Sequence, residues 1–328
     1  MDRRLRALAG SQAGTLSVME AHAVGVPNAD IVRAVRAGEL VRVRRGAFIG
    51  REVWDAASPD AQFRLSALAI ARSRPGDALS HHAALAALDL PLWDHDPDRI
   101  DLATRTRRGS SRNGLHLHPI AGIQTQQVAG VRSVSTARAI VRTGLTMGLE
   151  CAVVAGDAAL HQRLVTVADL VAEVALLSPH EGRGRAHEIV LRMDGRAESV
   201  GESRTRLVVD ALGLAHDSQV ELVDDAGRFV ARVDLLVEGV VLEFDGRVKY
   251  RADMADSADP EAVSRIVWLE KRREDAIRRL GHPVERVVWD DLARPGTIAA
   301  RVAAARPHVT ARQPGTSRQH ARPFATGS

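Results

Sequence analysis

Residues 40–50 read LVRVRRGAFIG. Valine and arginine alternate up to Gly46 and apolar residues follow it, which is the pattern of two short strands joined by a tight turn. The chain before it is punctuated into short helices. Arg3–Ala9 is one helix candidate. Leu16–Ala23 is a second, closed by Gly25 and Pro27. A third begins at Asn28, which we expect as its N-cap, and runs through ADIVRAVRAG to a stop at Gly38.

Three short helices followed by a basic two-stranded wing describe a winged helix. In helix-turn-helix folds of this kind the recognition helix enters the major groove of DNA, and we expect the wing to touch backbone. Arg33 and Arg36 are three apart and share a face of the third helix. Arg42, Arg44 and Arg45 lie on the wing. All five are therefore candidate contacts to double-stranded DNA, against the plain alternative of a solvated basic surface. Charge placement agrees: residues 1–50 hold eight arginines against four acids, whereas the whole chain carries only +4.

The 328 residues suggest two or three domains. Hydrophobic residues make up 45% and aromatics only 3%, so the cores must be built from alanine, valine and leucine. The single cysteine, Cys151, excludes an internal disulfide and reads as a small core residue within LECAVVAG. No signal peptide or membrane-length apolar run is seen, which points to a soluble cytoplasmic protein.

Residues 56–198 read as a mixed middle domain. DAQFRLSALAIARS is helical, and ALSHHAALAALDLPL is a strand end leading into a helix capped by Ser80. DRIDLAT and LHLHPI alternate as strands, and Val134–Leu145 and Leu149–Leu160 read as helices. His81 and His82 invite a metal reading. Adjacent helical residues point about 100° apart, so the pair makes a poor chelate, and hydrogen bonding at the helix start is preferred. Residues 306–328 carry four arginines, no acid and no apolar period, and are expected to be a disordered basic tail.

Residues 199–305 open with a helix, SVGESRTRLVVDALGL. QVELV, the turn DDAG and RFVARVDLLV follow as a hairpin, and a turn at Glu238-Gly239 leads to VVLEFDG. Alternation places Glu243 and Asp245 on one face. If this strand pairs with the one before it, Asp234 joins them. Converging carboxylates repel, and a fold keeps them together when a cation such as Mg²⁺ compensates. Each residue also has a plain alternative. Ser199-x-x-Glu202 is a capping box, Asp234 is an edge charge, Asp245-Gly246 is a turn, and Lys249 is a surface cation. Lys271, Arg272 and Arg273 lie on a helix that Asp259 caps, Pro260 starts and Gly281 stops. They line a phosphate path or form a solvated face.

These residues carry two resemblances. Val233-Asp234-Leu235-Leu236, Val241-Leu242-Glu243-Phe244-Asp245-Gly246 and Val284–Leu292 (VERVVWDDL) resemble the PD-(D/E)xK restriction-endonuclease-like superfamily, in its very-short-patch-repair branch. That resemblance implies Mg²⁺ at Asp234, Glu243 and Asp245, with Glu202 as helix acid and Lys249 as the catalytic cation. Lys249 stands where the family has histidine, and Asp245 where the superfamily has lysine. An active endonuclease and a degenerate one therefore both remain open. LVRVRRGAFIG with ALSHHAALAALDLPLW resembles the AbiEi-type antitoxin and transcriptional regulator family over about residues 1–160. It implies operator binding and a toxin partner. The expected architecture is α/β (α+β) and multidomain: winged helix 1–55, antitoxin-like middle domain 56–198, and restriction-endonuclease-like sheet flanked by helices 199–305.

Overall fold

The computed structural model describes residues 1–106, 108–120, 124–246 and 260–306. The tail after 306, Lys249 and Asp259 lie outside the described residues. The chain is of mixed α/β construction and packs as two units. Met1–Gly213 with Phe244–Gly246 form the first, and Leu214–Glu243 with the described residues beyond 259 form the second. The first unit thus takes in both the winged helix and the middle domain.

The winged helix runs α1 (Arg3–Ser11), β1 (Thr15–Ser17), α2 (Val18–Ala23), α3 (Asn28–Arg36), β2 (Leu40–Arg44) and β3 (Ala47–Gly50). The wing forms as expected, with Leu40 opposite Gly50 and Arg42 opposite Phe48. Gly46 sits at φ +81°, in the left-handed region that favours glycine. Two expected details differ. Thr15–Ser17 is a strand, not the start of a helix, because Leu16 pairs with Phe48 and is fully buried. Ser17 then closes a reciprocal cap with Glu20, so the helix starts at Val18. Asn28 is also not the N-cap of α3. Pro27 holds that place without a side-chain hydrogen bond, and Asp30 in the first turn complements the helix dipole. Leu5, Leu16, Val26, Ile31, Leu40 and Phe48 form the small core.

The middle of the first unit is a six-stranded sheet in the order β6-β7-β5-β4-β9-β8. Its strands are β4 (Ala78–Leu79), β5 (Ile100–Thr104), β6 (Ser110–Arg112), β7 (Leu115–Pro119), β8 (Thr125–Val128) and β9 (Val131–Val134). β5 and β7, the two alternating segments, pair in parallel. α4 (Arg51–Ala56), α5 (Pro59–Arg72), α6 (His81–Ala87), α7 (Thr136–Thr146), α8 (Leu149–His161), α9 (Val167–Ala175), α10 (Arg183–Leu191) and α11 (Val200–Ala211) complete the unit. The core is built largely of Ala, Leu, Val and Ile with Phe63 as its one aromatic, as the aromatic-poor composition requires. Cys151 is buried on α8. Arg206 of α11 reaches Asp157 of α8 at 2.7 Å, with both side chains almost fully buried.

The second unit holds a four-stranded sheet in the order β10-β11-β12-β13: His216–Val223, Phe229–Val237, Val240–Phe244 and Val284–Val287. Gly227 takes φ +74° in the first hairpin, and Glu238 and Gly239 take +50° and +89° in the second. Two consecutive positive φ values are what a two-residue hairpin loop needs to follow strand twist. Helices α12 (Pro260–Arg279), α13 (Trp289–Leu292) and α14 (Pro295–Ala305) belong to this unit. Ile277 of α12 packs on Val233 and Val241 of the sheet. Among the described residues no helix is long and apolar enough to cross a membrane.

Candidate functional site

The winged helix presents a basic surface built in two pieces. Helix α3 turns Ile31 and Ala34 into the core, which leaves Asn28, Val32, Arg33 and Arg36 facing solvent. Arg33 lies 2.9 Å from Asp30 and keeps its side chain 76% exposed. On the wing, Arg42 and Arg45 are exposed. Arg44 does something else. It donates from Nη1 to the carbonyl of Asn113 and from Nη2 to that of Arg112, each at 2.9 Å. Partial burial, with Arg74 and Arg112 nearby, pulls its pKa below that of a free arginine. Four of the five arginines therefore lie on the open surface, and the fifth ties the wing to the β6–β7 turn.

The acids of the second unit are half legible. The β11–β12 pairing sets Leu235 opposite Leu242 and Leu236 opposite Val241. Continued by one residue beyond that pairing, the register sets Asp234 opposite Glu243, on one face. Arg273 of α12 balances one of the two acids: its Nη1 lies 2.7 Å from Glu243 Oε1, and its Nη2 donates to the carbonyl of Arg232. A Mg²⁺ ion needs an octahedron of oxygens at about 2.1 Å. Asp234 and Glu243 would supply two of those oxygens and water the rest, with Arg273 competing for Glu243. Asp245 and Glu202 belong to the first unit. Glu202 accepts from the backbone N–H of Glu198 at 2.9 Å, and its own N–H donates to Ser199 Oγ at 3.1 Å. This is helix-start capping, the plain reading of its spacing, although its carboxylate reaches Glu198 rather than Ser199.

A third constellation lies in the middle sheet. Among the described residues, one group of His, Cys, Asp or Glu brings three ligand atoms within 4.8 Å of one another: His81, Asp101 and His118. The fold builds it directly. β4 pairs with β5 so that the N–H of Ser80 donates to the carbonyl of Asp101, which sets His81 beside it. β7 runs parallel to β5 with Asp101 opposite His116 and Ala103 opposite His118. Asp101 and His118 are thus diagonal neighbours on one face. His118 Nε2 donates to Asp101 Oδ1 at 2.6 Å, and the rings of His81 and His118 are 4.3 Å apart. Arg99 donates to both oxygens of Asp101 at 2.9 Å.

Of the two adjacent histidines, only His81 joins this group. His81 has φ +52°, so it does not follow helical geometry. Burial drives the His81 imidazole down to about 3, so it is neutral at pH 7. Asp101 is buried too. Hydrogen bonds from His118 and Arg99 outweigh that burial and hold it ionised well below the usual carboxylate range. The sequence signal for this group was present in the alternation of DRIDLAT and LHLHPI. The pairing that joins those segments to His81 was not.

Comparison with known proteins adds the following. Residues 3–49 match the family described as "Transcriptional regulator, AbiEi antitoxin". Two uncharacterized proteins of Mycobacterium tuberculosis, from strains CDC 1551 / Oshkosh and ATCC 25618 / H37Rv, are each 27% identical over 276 residues, covering 82% of this chain and 93% of theirs. The crystal structure of the RV2827C protein from Mycobacterium tuberculosis covers 62% of this chain and 79% of its own, at 15% identity and a TM-score of 0.33. The matched residues run from the start of α1 into β3, so it is the winged helix, with its basic helix and wing, that is similar to the AbiEi antitoxin transcriptional regulators.

Proposed function

We propose that this protein is a DNA-binding transcriptional regulator of the AbiEi-antitoxin kind, acting in the cytoplasm on double-stranded operator DNA and paired with a toxin. One observation carries the reading. A complete winged helix turns Arg33 and Arg36 outward on its third helix and Arg42 and Arg45 outward on its wing. Arg33 and Arg36 face the groove, and Arg42 and Arg45 face phosphates. The family match over the same residues supports it.

The test is fluorescence anisotropy with duplexes tiled across the gene's own upstream region, between 50 and 200 mM salt. Each phosphate contact contributes about 0.9 to the slope of log affinity against log salt. Arg42→Ala with Arg45→Ala should lower that slope by about 1.8. Arg33→Ala with Arg36→Ala should reduce discrimination between operator and random duplex. Unchanged affinity and slope in both pairs would sink the reading.

A second reading has its own support in the register that sets Asp234 opposite Glu243. It makes residues 199–305 a Mg²⁺-dependent endonuclease with Asp234, Glu243 and Asp245 as ligands, aided by Glu202 and Lys249. The Arg273–Glu243 pair opposes it. Mg²⁺- or Mn²⁺-dependent cleavage of plasmid and mismatched duplex, lost in Asp234→Ala and in Glu243→Ala, would establish it. Absence of cleavage with duplex binding intact would leave the regulator alone.

A further inference from the structure

We infer that His81, Asp101 and His118 form a binding site for a divalent transition-metal ion of the zinc class, in the middle sheet and separate from the DNA-facing surface. Two imidazoles and one carboxylate are a donor set suited to zinc and its neighbours, and unsuited to Mg²⁺, which prefers oxygen throughout. The three come from three different elements: the start of α6, β5 and β7. A sheet register, not sequence proximity, holds them together.

The surroundings of the group are those of a ligand set. His81 Nδ1 is hydrogen-bonded to Ser80 Oγ at 3.0 Å, which leaves Nε2 for an ion. Metal-bound histidines commonly have the other ring nitrogen fixed in this manner. Arg99 clamps the Asp101 carboxylate, so its orientation is set before any ion arrives. His118 is the open member, with its side chain 32% exposed, and gives the site an entry path from solvent. An ion would take the place of the proton that His118 Nε2 now shares with Asp101 Oδ1.

An independent observation comes from His82. Its Nε2 is 3.3 Å from the carbonyl of Asp96. Its Nδ1 is fully buried, makes no well-formed hydrogen bond, and lies 3.6 Å from Asp101 Oδ2. Asp101 Oδ2 accepts from Arg99 Nε at 2.9 Å, so the carboxylate is shared among Arg99, His118 and the His82 ring. Two ligands on one tetrahedral ion at about 2.1 Å lie about 3.4 Å apart, close to the observed separation. His82 thus adds a further buried imidazole beside the network of Arg99, Asp101 and His118.

The experiment uses the full chain, stripped with a chelator and dialysed. Zn²⁺ is titrated by calorimetry, and Co²⁺ by its visible absorption, which reports nitrogen and oxygen ligation directly. Wild type is expected to bind one ion per chain. His118→Ala, at the exposed edge of the site, is expected to weaken that binding more than tenfold with an unchanged circular dichroism spectrum. His118→Gln, which keeps volume and hydrogen bonding, should weaken it likewise, and Zn²⁺ should raise the melting temperature of wild type but not of this variant. The inference is overturned by absence of saturable one-to-one binding in wild type. It is also overturned if both His118 variants bind with wild-type affinity, which would assign the ion to other histidines.

Discussion

Arg206→Ala tests how the first unit is held together. Arg206 and Asp157 meet at 2.7 Å with side-chain exposures of 6% and 1%, and Asp157 also accepts the backbone N–H of Asp194 at 2.7 Å. Truncating the arginine leaves a carboxylate buried without its counter-charge, which costs about 3–5 kcal/mol. For a unit of this size that is a fall in melting temperature of roughly 6–20 °C. Arg192→Ala is the control. Its pair with Glu188 is also close, at 3.3 Å, but both groups are open to solvent, so its loss should cost under about 1 kcal/mol.

The pH dependence separates charge from packing. Burial raises the Asp157 pKa above its ordinary value, and Arg206 restrains the rise. For an acid whose folded pKa exceeds the unfolded one, the folded state binds more protons. Stability therefore falls as pH rises from the unfolded value through the folded value. Without Arg206 the folded pKa climbs further, so the variant's deficit is full near pH 7.5 and shrinks toward pH 4, where Asp157 protonates. Thermal melts of wild type and variant at both pH values read this. A deficit equal at the two pH values would assign the loss to packing, and one no larger than that of Arg192→Ala would refute the reasoning altogether.

Three further outcomes are expected. A Cβ on Gly201 would sit 2.0 Å from Phe244 Cε1, so Gly201→Ala should destabilise by about 1–3 kcal/mol in denaturant melts. The Cys151 thiol is buried and its pKa is pushed up to about 11, so native protein at pH 8 should resist a thiol-specific disulfide reagent and react only on unfolding. Arg44→Ala removes two hydrogen bonds to the β6–β7 turn and should lower stability by about 1–3 kcal/mol while leaving the salt slope of DNA binding unchanged, unlike Arg42→Ala.

What the sequence disclosed follows the range of the interactions involved. The wing was legible because alternation and Gly46 are local, and so was the hairpin around Gly227. The start of α2 was not, because Leu16 becomes a strand residue only by pairing with Phe48, far along the chain. Glu202 was legible as a cap, since Ser199 is three residues away. The histidine group was illegible for the opposite reason. β5, β7 and the start of α6 meet through a sheet order that departs from chain order, and the positive φ of His81 leaves no mark on composition. Arg44 shows the same limit on the DNA surface: its position on the wing was readable, but its carbonyl partners were not.

Arg273 is where the two readings of the second unit part. An arginine that ion-pairs with Glu243 and also donates to the carbonyl of Arg232 joins α12 to β11 and β12. In a regulator this is a structural tie, and Arg273→Ala should loosen the sheet while leaving Mg²⁺ without effect. In an endonuclease the same guanidinium competes with the metal for Glu243, so its removal should strengthen Mg²⁺ binding and raise cleavage. The two outcomes differ in whether Mg²⁺ acts at all, which makes one substitution decisive. The geometry favours the tie, because the guanidinium is fixed at both ends, and Mg²⁺, which gives up its own waters reluctantly, would have to displace a contact already made.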